Sequence, residues 1–355
     1  MKKLCILLSI ITFALFSLST SGCNSAFSSL NGVYFGTSVY ISVRGQLSDE
    51  HSTDIKAILS DLENEFSPVK AGSKIKSIND GAINLPVEFS DLGKQAISLA
   101  YKYHDLTDGG FSPALYPLTK LWRFDADSYP VENFTTPETW EIQSAKDLCS
   151  LSNFSNDNGV ITKLVDGAEL DFGAILKGFA TDKIADYLQK NGFTEGYVSV
   201  GGSSLKILSV NNELKIKHPV KSGEFIASVK PNAIKNTPLS TSGGYERFYT
   251  VNDAVYTHII DANTGLCNQG EILSLTVFGV SATFADAIST SAISLDYDER
   301  NPKDCEFTEF FNDLSNKKDY DDCNFFAVID CGQIFTSFSA DEFTLLDDNY
   351  TVIYA

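Results

Sequence analysis

The most informative stretch of this sequence is Leu170-Asp171-Phe172-Gly173-Ala174-Ile175-Leu176-Lys177-Gly178-Phe179-Ala180. Apolar residues at helical spacing, with Gly192 beyond their end, predict a helix from Ala174 to Lys190. Glycines at its start let backbone groups approach a ligand closely, and a helix N-terminus favours phosphate. Asp171 is therefore a candidate ligand-binding residue, and a simple helix cap is the alternative.

A second cluster lies downstream, in a helix predicted from Thr283 to Leu295. Asp286, Ser289 and Thr290 are three and four residues apart, so their oxygens share one face of that helix. A carboxylate with hydroxyls suits a hard cation such as Mg²⁺, which prefers oxygen ligands. The alternative is a solvated polar face, but the apolar remainder of the helix favours partial burial.

Two further clusters carry polar groups and glycines. One is His258-Ile259-Ile260-Asp261-Ala262-Asn263-Thr264-Gly265, and the other is Gly109-Gly110-Phe111-Ser112-Pro113. By spacing alone, a histidine in a hairpin is more often structural than catalytic. The glycines of the second segment are consistent with a turn and nothing else.

The pattern of the whole chain predicts an α+β fold, because hairpins and helices alternate without a regular βαβ series. We expect one domain over residues 32–355, with mixed and antiparallel sheets and packed helices. The predicted helices are Asp49 to Phe66, a helix capped by Ser90 that runs to about Thr107, and the two described above. The predicted strands include Val33 to Val43, Tyr197 to Leu208, a Phe248 to Ile260 hairpin, Leu273 to Val280, Phe325 to Ile329 and Ile334 to Phe338.

The N-terminus predicts export. Two lysines precede an apolar stretch, and small residues then lead to Cys23. This pattern is typical of a signal peptide over residues 1–22, resembling the lipobox of bacterial lipoproteins, with Cys23 acylated. Residues 23–31 are then a lipid-anchored tether, and the protein is held on the extracytoplasmic face of the bacterial membrane. An ordinary secretory signal with a chance cysteine is the alternative.

Composition supports a folded, acidic body. The formal net charge is −19, which argues against nucleic acid as a partner. Five cysteines remain after Cys5 and Cys23, with no CxxC spacing, so neither a zinc site nor a full disulfide framework is indicated. A Cys305–Cys323 or Cys323–Cys331 bridge is left open.

Taken in order, these clusters resemble the ApbE family of FAD:protein FMN transferases. The resemblance rests on the first two clusters, on the His258 segment, and on Val200-Gly201-Gly202 and Thr241-Ser242-Gly243. It implies a T-fold-related α+β architecture. It also implies transfer of FMN from FAD to a threonine hydroxyl of an exported acceptor flavoprotein, with release of AMP.

The resemblance also assigns roles to residues. Mg²⁺ is expected on the Ala174 carbonyl, Asp286 and Thr290, with Ser289 where some relatives have a further carboxylate. FAD contacts are expected at Phe35, Gly110, Phe111, Ser112, Asp171, Lys177 and Ile259. The base that accepts the hydroxyl proton is expected to be His258, with Asp261 as the alternative.

Three positions depart from the family pattern around the flavin pocket: Val69, Ser112 and Ala262. Two other functions remain open on the same residues. One is a FAD pyrophosphatase that releases FMN and AMP. The other is a lipoprotein that binds FAD without turnover, against which retention of Asp171, Asp286 and Thr290 argues.

Overall fold

The computed structural model describes residues 26–209, 213–234, 237–269 and 271–355. The predicted signal peptide, 1–22, and the predicted lipidated residue, Cys23, lie outside these ranges. Within them, no helix is both long and apolar enough to cross a membrane.

Helices and strands are distributed over the whole described chain. The helices are α1 (Asp49–Phe66), α2 (Lys74–Asp80), α3 (Asp91–Leu106), α4 (Tyr116–Leu121), α5 (Thr139–Lys146), α6 (Gly173–Lys190), α7 (Pro231–Ile234), α8 (Ala282–Ala292) and α9 (Glu306–Ser315). The strands are β1 (Phe27–Tyr34), β2 (Thr37–Arg44), β3 (Pro86–Glu88), β4 (Phe154–Asp157), β5 (Val160–Lys163), β6 (Gly196–Val200), β7 (Ser204–Ile207), β8 (Leu214–Lys217), β9 (Phe225–Val229), β10 (Leu239–Gly243), β11 (Phe248–Val251), β12 (Ala254–Thr257), β13 (Ile272–Phe278), β14 (Asn324–Ile329), β15 (Gln333–Thr336), β16 (Phe343–Leu345) and β17 (Thr351–Tyr354).

One large sheet organises the molecule. Among the described residues it has nine strands, in the order β1-β2-β6-β7-β10-β13-β14-β15-β17. Its pairs are antiparallel except for β15 with β17, which is parallel. Smaller sheets are β3-β5-β4, β16-β9-β8 and the β11-β12 hairpin. The α+β class with mixed and antiparallel sheets is confirmed.

The large sheet buries both of its faces, and alternation along its strands shows how. Val277 of β13 and Phe325 of β14 belong to the cluster that contains the apolar faces of α6 and α8. Their neighbours Phe278 and Phe326 belong to a second cluster, shared with β8, β9 and β16. Since successive strand residues point to opposite faces, the helices cover one face of the sheet and the small sheet covers the other.

The longer predicted helices are confirmed. Helix α1 has the predicted bounds, and Ser48 caps it. Ser90 caps α3 by accepting a hydrogen bond from the Gly93 amide at 3.2 Å. The predicted hairpin turn at 252–253 is present between β11 and β12, although β12 ends at Thr257 rather than at Ile260.

Two predicted strands were wrong, because each is a hairpin. The predicted strand from Val33 to Val43 is divided by Phe35 and Gly36, which both have positive φ, as a tight turn between antiparallel strands requires. The predicted strand from Tyr197 to Leu208 turns at Gly201 and Gly202, which also have positive φ.

The predicted tether also needs a correction. Strand β1 begins at Phe27, and each of its residues pairs with β2. Residues 27–31 are therefore part of the sheet and not of a tether. Their alternation of exposed and half-buried positions explains why a serine-rich segment can form an edge strand. The cysteines left open above, Cys305, Cys323 and Cys331, are free thiols.

Candidate active site

The site is built where helices α6 and α8 touch. The carboxylate of Asp286, on α8, is 2% exposed. Its Oδ2 accepts a hydrogen bond of 3.0 Å from the Gly178 amide on α6, and its Oδ1 accepts one of 2.8 Å from Ser240 Oγ on β10. A Cβ on Gly178 would lie 2.2 Å from the Ala282 carbonyl oxygen, so only glycine permits this approach. The two clusters that carried the sequence prediction therefore meet.

One turn further along α8, hydroxyl groups of α8 and β10 lie close together. Ser242 Oγ, on β10, lies 2.9 Å from Ser289 Oγ and 3.3 Å from Thr290 Oγ1. Ser240 and Ser242 are two residues apart on one strand, so both face α8. The predicted ligands Asp286, Ser289 and Thr290 thus lie in one patch of oxygen atoms, which the structure extends with the two β10 serines.

The remaining predicted metal ligand is the backbone of Ala174, the second residue of α6. In a regular helix its carbonyl accepts from the amide four residues later, which is that of Gly178. That amide donates to Asp286. Because a carbonyl oxygen has two lone pairs, the Ala174 oxygen retains capacity for a cation at this junction.

Lys177 brings positive charge to the same point. Its Nζ donates to the Gly173 carbonyl at 3.0 Å and lies 3.9 Å from Asp286 Oδ2. The position that a Cβ would take on Gly201 lies 3.1 Å from Lys177 Cδ and 3.3 Å from Thr37 Oγ1. The β1–β2 hairpin, which carries Phe35 in its turn, therefore ends beside this lysine.

Asp171 is half-buried at the start of α6. Its Oδ1 accepts from the amide of Gly173, the first residue of α6, at 2.8 Å, although the N-cap position of the helix is Phe172 and not Asp171. Burial raises the pKa of its carboxyl group, while the Gly173 hydrogen bond and the charges of Lys177 and Arg247 oppose that rise. The carboxylate is therefore both a structural group and a member of the charged site.

The 109–113 loop is attached to this segment. The Asp171 amide donates to the Pro113 carbonyl at 2.8 Å, and a Cβ on Gly110 would lie 2.4 Å from Ser291 Oγ of α8. The Ser112 hydroxyl accepts from the Ala114 amide. Phe111 is 1% exposed and is a core residue. Its amide donates to Thr107 Oγ1 at 3.0 Å and its carbonyl oxygen lies 2.9 Å from His104 Nδ1, so only that carbonyl's second lone pair is left for a ligand.

Asn79 fixes the strand-like segment just before Asp171. Its side chain donates to the Leu170 carbonyl at 2.9 Å and accepts from the Leu170 amide at 2.8 Å. Such a pair of bonds to one residue sets both its position and its rotation.

His258 lies close to the charged groups. Its Nδ1 is 3.3 Å from the Arg247 carbonyl oxygen. Burial and the positive charges of Arg247 and Lys177 lower its pKa to about 4. The imidazole is thus neutral at pH 7. With Nδ1 donating to the carbonyl, Nε2 carries a lone pair that can accept a proton. Ile259, the next residue, is buried.

The alternative base, Asp261, has both oxygens engaged in its own turn. Oδ1 accepts from the Asn263 amide at 2.8 Å, and Oδ2 accepts from Thr264 Oγ1 at 2.7 Å. This geometry is that of an Asx turn, in which the side chain organises its own loop. It favours His258 over Asp261 as the proton acceptor.

Sequence reasoning assigned no role to four residues that shape the site: Asn79, Ser240, Ser242 and Arg247. For the two serines, their spacing of two residues within a strand could have predicted that both face the same side of the sheet. Arg247 had none, since its effect on Asp171 and His258 arises only through the fold. In the described ranges, no group of three or more His, Cys, Asp or Glu residues could hold a metal ion. The candidate donor set instead combines one carboxylate with carbonyl and hydroxyl oxygens.

A separate cavity of about 120 Å³ lies on the other face of the large sheet. Ser203, Ile216, Thr241 and Tyr245 are among the residues that line it. Thr241 alternates with the two serines that face α8, so the sheet separates the cavity from the oxygen patch. Of the predicted site residues that the structure describes, none lines this cavity.

A protein-family model and several known proteins match this sequence. A model of the ApbE family matches residues 35–302. The FAD:protein FMN transferase of Haemophilus influenzae is 25% identical over 283 residues, which cover 76% of this chain and 81% of that protein. The enzyme of the same name from Escherichia coli K12 is 26% identical over 278 residues, covering 75% and 78%.

Solved structures of ApbE proteins have a similar fold. The ApbE protein of Thermotoga maritima is 27% identical, with a TM-score of 0.73 over 87% of this chain and 96% of that one. The flavin transferase ApbE of Vibrio cholerae, at 20% identity and a TM-score of 0.70, covers 90% of this chain and 96% of its own, and shares the fold. From its matched residues and its fold, this chain belongs to the ApbE family.

Proposed function

We propose that this protein is a Mg²⁺-dependent FAD:protein FMN transferase, which moves FMN from FAD to a threonine hydroxyl of an acceptor protein and releases AMP. The observation that carries the proposal is the α6–α8 junction. There the Gly178 amide donates to Asp286, and this contact brings a carbonyl, a carboxylate, hydroxyls and Lys177 to one point. The names of the curated relatives support the same activity.

The donor set fits Mg²⁺. Asp286 Oδ1 and Oδ2 each accept one protein hydrogen bond and retain further lone pairs. With the Ala174 carbonyl and the Thr290 hydroxyl, they form a set of hard oxygen ligands, and Ser289 adds a hydroxyl where a second carboxylate would be. A site with one carboxylate leaves positions for water and phosphate oxygens, as Mg²⁺ sites usually do. When bound, the ion would supply positive charge that offsets the charge of the FAD diphosphate.

The chain's own groups would hold and orient FAD around that diphosphate. Lys177, 3.9 Å from Asp286, is placed to donate to a phosphate oxygen. The glycine-containing 109–112 loop and Asp171 lie together on one side of the α6 start, joined through Pro113. Phe35 and Ile259 are the apolar groups that we assign to the flavin. Because the ring of Phe111 is buried and its amide donates to Thr107, we assign only its carbonyl oxygen to the site.

His258 would serve as the general base. Its Nε2 takes the proton of the threonine hydroxyl as the threonine oxygen bonds to the phosphorus of the FMN moiety. The bond from that phosphorus to the oxygen that bridges to AMP then breaks, and AMP leaves with that oxygen. Because its pKa is lowered to about 4, the imidazole is neutral at pH 7 and Nε2 can accept the proton, but the same shift makes it a weaker base than a histidine that titrates near neutrality.

We also propose that the protein is lipid-anchored at Cys23 on the extracytoplasmic face of the membrane, with an exported flavoprotein as its acceptor. The lysines, the apolar stretch and the small residues before Cys23 support this. Since β1 begins at Phe27, four residue steps separate it from the acylated cysteine, a reach of at most about 14 Å. The catalytic domain would then lie close to the membrane surface.

The test uses the chain from Asn24 onward, which keeps β1 complete. It is incubated with FAD, Mg²⁺ and an exported protein that carries an Asp-x-x-Ser/Thr-Gly/Ala-Ala-Thr segment. The proposal expects covalent flavin fluorescence on the acceptor after a denaturing gel, loss of labelling with EDTA, and one AMP per flavin transferred. Free FMN and AMP without labelling would show a hydrolase instead, and intact FAD would show a binding protein.

A further inference from the structure

A second carboxylate joins the same two helices one turn away from the proposed metal site. Asp182, on α6, is buried, and its Oδ1 accepts from the Ala282 amide at 3.0 Å. Its Oδ2 accepts from both the amide and the hydroxyl of Thr283, at 2.8 and 2.6 Å. The first amides of a helix lack partners within the helix. Asp182, on the neighbouring helix, therefore accepts hydrogen bonds from two amides at the start of α8 that would otherwise lack partners.

The position of Asp182 on α6 relates it to the ligands. Ala174, Gly178 and Asp182 follow one another at intervals of four residues, so they lie along one face of α6. On α8, the matching positions run in the opposite direction. Asp182 meets Thr283 and Gly178 meets Asp286. Continued by one more turn of each helix, the same register would place Ala174 opposite Thr290.

Two successive turns of this helix pair are therefore joined by hydrogen bonds, and the candidate ligands Ala174 and Thr290 would lie one turn further along. The distance between the Ala174 carbonyl on α6 and the side chains on α8 is set by how α8 is held along α6. The Gly178–Asp286 bond uses a ligand itself, whereas the Asp182 contact fixes the pair without using one. A shift at Asp182 would thus be transmitted to the ligands by the rigid helices.

We propose that Asp182 is a positioning residue that fixes the spacing between the two halves of the metal site and thereby sets its affinity for Mg²⁺. This inference rests on the proposed function. Asparagine cannot replace the carboxylate, because its NH₂ group would face N–H or O–H donors of Ala282 or Thr283. Groups that orient metal ligands from outside the ligand set typically change metal affinity 10- to 100-fold when they are mutated.

The experiment compares three variants with the wild-type chain from Asn24 onward. Asp182→Asn removes the contact, and Thr283→Val removes only the hydroxyl bond while keeping the shape of the side chain. Asp186→Asn is the matched control, since Asp186 lies one turn along α6 and shares Lys206 with Asp182, at 3.4 and 4.0 Å. For each protein, Mg²⁺ affinity is measured by titration calorimetry in the presence of ADP, alongside the half-saturating Mg²⁺ concentration for FAD turnover, the KM for FAD and the urea midpoint.

The expected result is a weakening of Mg²⁺ binding by about tenfold or more in Asp182→Asn and by a smaller factor in Thr283→Val. The KM for FAD at saturating Mg²⁺ should change less than twofold, and Asp186→Asn should match wild type. A lower urea midpoint with unchanged Mg²⁺ affinity in both variants would overturn the inference, leaving Asp182 a purely structural cap. If Asp182→Asn does not fold, Thr283→Val decides alone, and unchanged affinity in it counts against the proposal.

Failure of the proposed function is distinguishable from failure of this inference. If wild type neither binds Mg²⁺ with ADP nor requires it for turnover, the metal-dependent transferase is refuted, and the role of Asp182 is refuted with it. If wild type binds Mg²⁺ and the Asp182 and Thr283 variants bind it equally well, only the positioning role is refuted.

Discussion

Replacing Gly178 with alanine tests whether the close approach of α6 and α8 creates the site. The added Cβ would lie 2.2 Å from the Ala282 carbonyl oxygen and 2.8 Å from Thr283 Cα. Real Cβ contacts are essentially never shorter than 3.0 Å, so α8 must retreat by at least about 0.8 Å. The Gly178–Asp286 hydrogen bond, now 3.0 Å, would lengthen to about 3.8 Å and be lost, since such bonds extend to about 3.2 Å.

The substitution has two opposing effects on the free energy of unfolding and one effect on the catalytic rate. Overpacking lowers the free energy of unfolding by about 1–3 kcal/mol. Replacing a glycine within a helix by alanine raises it by up to about 1 kcal/mol. We therefore expect Gly178→Ala to lower the free energy of unfolding by about 0–3 kcal/mol. A displacement near 1 Å in a catalytic site can cost about 100-fold in rate, and we expect a loss of that order here.

The assay is steady-state FAD consumption at saturating Mg²⁺, with urea unfolding in parallel. Gln189→Ala, at an exposed position in the last turn of the same helix, is the control and should retain wild-type activity. If Gly178→Ala remains folded and keeps its kcat/KM within threefold of wild type, the helix approach does not set the catalytic geometry and the reasoning is refuted.

Three further predictions follow from individual contacts. Asp286→Asn should abolish Mg²⁺-dependent FAD turnover while leaving the circular dichroism spectrum unchanged, and near-wild-type turnover would rule out this residue as a metal ligand. His258 has a pKa lowered from 6.5 to about 4. Between those pH values the histidine binds a proton in the unfolded chain but not in the folded one. Lowering the pH from 6.5 to 4 should therefore reduce the free energy of unfolding of wild type, relative to that of His258→Gln, by up to ~3 kcal/mol in urea titrations. Unfolding free energies that change in parallel with pH in the two proteins would contradict this. Asn79→Ala should lower the free energy of unfolding by about 2–4 kcal/mol, because it leaves the amide and the carbonyl of Leu170 without partners; a loss below 0.5 kcal/mol would show that water replaces both bonds.

Local sequence signals were sufficient wherever the structure depends on local chemistry. The helix from Asp49 to Phe66 has a capping residue and a periodic apolar face, and its bounds were predicted correctly. The hairpin turn at Asn252 and Asp253 uses residues that tolerate positive φ. In contrast, the β1–β2 turn places Phe35 at positive φ, where an aromatic residue is uncommon. No sequence rule marked that turn, and two strands were predicted as one.

Non-local contacts explain what was missed in the candidate site. The ligand types and their helix faces were readable, because Asp286, Ser289 and Thr290 are neighbours on one helix. Their partners come from distant parts of the chain. Gly178 is 108 residues away from Asp286, and Ser240 is 46. A pattern within one segment cannot specify which face of another segment will meet it.

The charges of the site support a cation at the α6–α8 junction. The chain is acidic, with a formal net charge of −19, yet the site contains Lys177 and Arg247 as well as Asp171 and Asp286, so its formal charges cancel. His258 is neutral, since its pKa is lowered to about 4. Each phosphate of the FAD diphosphate adds a negative charge. If FAD binds as proposed, with its diphosphate beside Asp286, that charge adds to the carboxylate's and carries an electrostatic cost unless a further cation is present. On the proposed function, a divalent ion would offset this charge beside Asp286, whose Oδ2 already lies 3.9 Å from Lys177 Nζ.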